Sequence, residues 1–240
     1  MRGGRTPCVG AVCSTPHRLC EGESSVRQHK PGHKPCRHRR KRLPRTCAHS
    51  RYSGMPVLPI ARMGNPVLRK IAEPIADPTD PAVARLAADM IATMLDAPGV
   101  GLAAPQIAES RRIIVFRVPA DRGEGEEVAN TVLVNPVIEP LTDEKVLGWE
   151  GCLSIPGLRG LVPRYKRIRY RGYGLDGARI EREASGFHAR VVQHEVDHLD
   201  GVLYLDRMDD LQLLVCTEEM HHLNAALAAA TRDTDAPSRA

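Results

Sequence analysis

The segment His194-Glu195-Val196-Asp197-His198 constrains this chain most tightly, because it places four polar side chains inside a run whose apolar positions recur with helical spacing. Val192, Val196, Leu199 and Leu203 stand at i, i+4, i+7 and i+11, which predicts one helix from Phe187 onward with a stripe buried against a sheet. Buried polar groups need partners. Residues four apart share a helix face, so His194 and His198 can aim their imidazoles at one ion, and Glu195 between them can reach a water beside it. The plainer alternative is a helix that exposes two histidines and two acids to solvent, and the apolar stripe argues against it.

A catalytic metal needs three protein ligands and an open position. In metzincin proteases the third comes from the pattern HExxHxxGxxH. This chain matches as far as Gly201 and then has Tyr204 where the last histidine would stand. Cys152 is the best substitute. It lies in Glu150-Gly151-Cys152-Leu153-Ser154 just after a predicted strand, and Gly151 permits close approach of backbone to an ion or substrate. The competing reading of a lone cysteine is a small buried hydrophobe, which suits Cys216 inside a predicted C-terminal helix. A further segment, Gly99-Val100-Gly101-Leu102-Ala103-Ala104-Pro105-Gln106, lacks the Lys and Ser/Thr of a phosphate loop and precedes no clear helix. Alone it would be a tight turn with a surface glutamine.

Asp80-Pro81 reads as N-cap and first helical residue, followed by Val83, Leu86, Ala87, Met90, Ile91 and Met94 at helical spacing until Pro98-Gly99. Runs rich in β-formers follow at residues 112–118, 132–139, 145–149, 167–173 and 178–183, separated by Gly, Pro and Asp. A last amphipathic helix is predicted over 209–230, on which His221 and His222 form a solvated face. The class is α+β, with short antiparallel pairings rather than βαβ units.

Composition divides the chain just before Met55. Residues 1–54 carry 13 Lys or Arg against 2 acids, a charge of +11, while the remainder has 21 against 27, or −6. Five of the seven cysteines also lie upstream, without a CxxC pair, which argues against both a structural zinc site there and a disulfide-stapled body. The segment shows no hydrophobic period and is expected to be disordered. Three readings compete for it: an organelle-targeting peptide, which Pro31, Pro35 and Pro44 disfavour as a helix; a basic nucleic-acid-binding arm; or sequence upstream of a start at Met55, which we favour. No apolar run is long enough to span a membrane, and a reducing cytoplasm fits the cysteine usage.

The three site segments, in this order, resemble the signature motifs GxGLAAxQ, EGCLS and HExDH of peptide deformylases, each matched without a departure. The similarity runs from Met55-Pro56-Val57-Leu58 through Asp206-Arg207 and includes Asn65-Pro66-Val67-Leu68-Arg69 and Gly186-Phe187-His188-Ala189-Arg190. It implies a single catalytic domain over 55–240, with antiparallel sheets packed around the helix that carries HExxH. It implies ligands Cys152, His194 and His198, Glu195 as general base and acid, and Gln106 with the backbone N–H of Leu153 as donors to the oxyanion. Ferrous iron is the usual ion of that family, although two imidazoles and a thiolate also suit zinc, nickel or cobalt. The implied substrate is the N-formylmethionine end of nascent chains, with transient ribosome association, no membrane and no specific nucleic acid. Val100, Gly101 and Gly151 are candidates for contacts to the peptide backbone, and Phe187 and Val191, with His194, for the methionine pocket. Glu150 and Arg164, on either side of Cys152, are expected to form a buried pair; Asp197 either orients a histidine or is an ordinary surface acid. Two other functions compete: a general HExxH metallopeptidase, and a nucleic-acid-binding protein led by the basic arm.

Overall fold

Helix α1 (Pro81–Asp96) begins as its sequence predicts. The Asp80 carboxylate accepts the Ala82 N–H at 2.7 Å, and Pro81, with no amide hydrogen to satisfy, takes the first helical position. The computed structural model describes residues 54–123 and 126–234, so the readings made for the basic N-terminal segment lie outside the described residues.

After α1, eight strands lie among the described residues: β1 (Gly101–Ala103), β2 (Ile113–Val118), β3 (Val128–Pro140), β4 (Lys145–Cys152), β5 (Ile155–Tyr165), β6 (Arg167–Tyr173), β7 (Arg179–Ser185) and β8 (Leu214–Cys216). They form a five-stranded sheet in the order β1-β2-β3-β6-β7 and a three-stranded sheet in the order β4-β5-β8, with every strand pairing antiparallel. Alternation along β2 serves two cores at once. Ile113 and Val115 pack with Val83, Met90 and Met94 of α1, while Ile114, Phe116 and Val118 pack with Val192, Val196 and Leu199 of helix α2 (Gly186–Leu199).

Helix α2 touches strands of both sheets, which makes it the central element that the buried stripe predicted. It ends at Leu199, so Leu203 falls beyond the helix, yet Leu203 is buried in a third cluster with Leu68, Ile155, Val162 and Tyr204. The C-terminal region departs further from expectation. Helix α3 starts at Met220 and runs to Thr234, not from Asp209. Asp210 instead caps a single 3-10 turn by accepting the Gln212 N–H, and β8 then pairs Leu214, Val215 and Cys216 with Gly160, Arg159 and Leu158. Cys216 is therefore an exposed strand residue and not a buried helical one. His221 and His222 are exposed, as expected.

Candidate metal centre

Cys152 ends β4, while His194 and His198 stand one turn apart in α2. The atoms each could offer to an ion lie within 4.8 Å of one another, and all three residues are buried. Cys152 Sγ is 3.2 Å from His198 Nε2. The two imidazoles meet edge to face, with centroids 5.0 Å apart. His194 Nδ1 sits 2.7 Å from Glu150 Oε2, and a proton shared there leaves Nε2 as a lone pair for an ion. Burial raises the Cys152 thiol's pKa, but His198 and His194 outweigh it and hold the thiol well below its ordinary range. Burial likewise disfavours a charged His194, and is outweighed by Cys152 and Glu150. A thiolate and two imidazoles converging in a buried pocket are a donor set that fits a divalent transition metal.

Glu195 is buried, and its Oε2 has no hydrogen-bond partner. Burial pushes its carboxyl up to about 7, against the pull of His194 and His198. Its carboxylate packs on Gly101, where a Cβ would stand only 2.5 Å from Glu195 Cδ and 2.8 Å from Cγ. Gln106, read from sequence alone as a surface residue, is 2 % exposed and sits in a 3-10 turn over 104–107 that directly follows β1. Its Oε1 accepts the Ala103 N–H at 2.8 Å. That orients Nε2 toward Ser154 Oγ at 3.2 Å and Cys152 Sγ at 3.4 Å. The chain thus brings the small-residue loop, the cysteine and the helix together as the three motifs implied.

Around these groups lies a cleft of about 420 Å³, within the range of small-molecule and peptide sites. Val100, Gly101, Gly151, Leu153, Phe187 and Val191 line it. Arg122 lies over the Phe187 ring at 5.8 Å. Tyr204, at the position of a metzincin's third histidine, is buried and stacks on His194 with ring centroids 6.2 Å apart.

The expected Glu150–Arg164 pair is present and bidentate, at 2.8 Å and 3.0 Å, and both side chains are buried. Arg164 also donates to Asp197 at 2.5 Å, and Asp197 accepts from Arg207 at 2.7 Å and 3.1 Å. Asp197 is therefore neither a surface acid nor a partner of a histidine; it anchors the helix to two arginines. Its signal in the sequence was the helix itself, which is buried at every residue from Val191 to Leu199, so that an acid there requires cations. Sequence reasoning also missed Ser154 beside Gln106, and Arg190 beside Glu150.

A family model described as polypeptide deformylase matches residues 57–213. The chain belongs to the polypeptide deformylase family. It is 55% identical over 161 residues to peptide deformylase 1 of Bordetella pertussis, covering 66% of this chain and 92% of that one. It is 49% identical over 166 residues to peptide deformylase 2 of Ralstonia nicotianae, covering 68% and 93%. Among solved structures, the class I type b peptide deformylase of Acinetobacter baumannii with Met-Ala-Ser bound shares 41% identity at a TM-score of 0.60, covering 64% of this chain and 99% of that one. The Thermotoga maritima peptide deformylase shares 38% at 0.59, covering 65% and 99%. Members of this family are metal-dependent hydrolases that remove the formyl group from nascent polypeptides, and the α+β architecture read from the sequence is theirs.

Proposed function

We propose that Cys152, His194 and His198 hold one divalent ion, natively ferrous iron, and that Glu195, Gln106 and Leu153 carry out deformylation of N-formylmethionyl peptides around it. The convergence of the three buried donor atoms within 4.8 Å, beside a buried carboxylate, is the observation that carries this reading. Such an ion supplies Lewis acidity, which makes water a competent nucleophile near neutral pH. Glu195 takes the proton of that water; its burial and raised pKa suit a base that must later return the proton to the leaving methionine amine. Gln106 Nε2, fixed by its own Oε1 bond to Ala103, and the Leu153 N–H donate to the oxygen that gains charge. Formate and a free α-amine result.

Among the described residues strand β1 pairs on one side only, with β2, so its other edge can receive the peptide as an added strand at Val100 and Gly101. Phe187 and Val191, one turn apart on α2 and facing the cleft, suit the methionine side chain, and Gly151 lines the same cleft as a candidate contact to the peptide backbone. Residues 55–240 act as one catalytic domain, a reading supported by the span of the family match. The relatives named above are bacterial, which supports action in the bacterial cytoplasm, with transient ribosome association where formylated chains emerge. No helix among the described residues is long and apolar enough to cross a membrane.

Metal analysis of the anaerobically purified chain tests the ligand assignment. One ion per chain is expected, lost in Cys152→Ser and His198→Gln, with chelation abolishing formate release from a formylmethionyl tripeptide. Full metal content in both variants would contradict the assignment.

A further inference from the structure

We propose that Arg190 is a positioning residue for the metal centre, acting through Glu150 on His194; the proposal rests on the ligand assignment above. Arg190 stands four residues before His194, on the same face of α2 and one turn upstream. Its side chain reaches four acceptors: Glu150 Oε1 at 2.9 Å and the carbonyls of Val146 at 2.7 Å, Gly148 at 3.2 Å and Val162 at 2.7 Å. Three of those acceptors belong to β4, the strand that ends at Cys152.

Two features make this clamp more than a surface contact. The Glu150 carboxylate is fully subscribed: Oε1 accepts from Arg164 Nε and Arg190 Nη1, and Oε2 faces Arg164 Nη2 and His194 Nδ1. Glu150 therefore points at His194 because two guanidinium groups hold it from different directions, which planar forks do well and an ammonium does not. The second feature is backbone. The β4–β5 ladder slips its register between Glu150 and Cys152, so regular strand pairing does not by itself fix the cysteine relative to the strand. Arg190 ties that strand to the helix carrying both histidines.

Gly148 shows how closely the guanidinium is seated. A Cβ there would stand 2.6 Å from Arg190 Nη2 and 2.7 Å from Cζ. Glycine at 148 thus makes room for the arginine, and Gly148→Ala displaces it without altering any charge.

The test is chelator-driven release of Co(II) from the full chain, with the Co(II) ligand-field absorption and the melting temperature of the metal-free protein read alongside. Arg190→Gln and Gly148→Ala are each expected to release the ion roughly tenfold faster than the unaltered chain, in the range known for outer partners of metal ligands, and to shift the absorption bands. Arg190→Lys should recover only part of the retention. Lowered melting temperatures with release rates and bands unchanged would overturn the proposal and leave Arg190 a staple of the fold alone. An unaltered chain that binds no stoichiometric cobalt, or binds it equally well as Cys152→Ser, would refute the ligand assignment and the proposal with it.

Discussion

Gly101→Ala separates placement of Glu195, the proposed base, from integrity of the fold. An alanine Cβ at this position would lie 2.5 Å from Glu195 Cδ, whereas non-bonded carbons settle at about 3.5 Å or more, so the carboxylate must retreat by about 1 Å. The backbone raises no objection, since Gly101 lies in a β-strand without a positive φ. The obstructing atoms are the end of one side chain facing a cleft, so the stability cost should stay near the about 1–3 kcal/mol of ordinary overpacking. Catalysis is less tolerant. A misplacement of about 1 Å in a reacting group is worth about 10²-fold in rate, or about 2.7 kcal/mol of barrier. Formate release should therefore fall about a hundredfold in kcat, with the metal retained and the unfolding transition cooperative. In a Glu195→Gln background the same substitution should cost little, because the group it displaces no longer works. Activity within twofold of the unaltered chain, with metal bound, would refute the placement of Glu195 against β1.

Arg164→Leu strands two buried acids, Glu150 and Asp197, and is expected to lower unfolding free energy by about 3–5 kcal/mol in urea titrations; a loss under about 1 kcal/mol would show that the network is not stabilising. His188 is buried between Tyr170 and Glu126, and burial lowers its pKa from the ordinary 6.5 despite Glu126. The unfolded chain therefore binds a proton that the folded chain declines, and stability falls as pH drops below 6.5 toward the lowered value. Chemical denaturation between about pH 5 and 7 should show a flatter profile for His188→Gln; parallel profiles would remove His188 as the cause.

Long periodic segments, capping chemistry and the β-rich runs that became β2, β3, β4, β6 and β7 were legible in the sequence, and β1, β5 and β8 were not. Asp80-Pro81 and the α2 stripe each carry a local signal that tertiary contacts reinforce. β5 was missed because Pro156, Gly157, Gly160 and Pro163 read as breaks. The structure places both prolines outside Leu158–Gly160, the stretch paired with β8, and Pro163 pairs on one side, with Leu147 of β4. β8 was hidden by an apolar pattern compatible with helix, and its pairing with β5 overrides that pattern. At the site, the residues singled out by type and spacing, Cys152, His194, Glu195 and His198, are all buried, and the first, second and fourth converge. Arg190 was not singled out, because nothing local distinguishes an arginine that caps a strand from one in solvent; its acceptors lie 28 to 44 residues away.

The most direct measurement is formate release from a formylmethionyl tripeptide by the full chain loaded anaerobically with ferrous iron, beside Glu195→Gln loaded in the same way. Equimolar formate and free amine are expected, with the variant slower by about 10²–10⁴-fold while it keeps its metal. A folded, metal-loaded chain that releases no formate, or that cuts internal peptide bonds instead, would contradict deformylation as its chemistry.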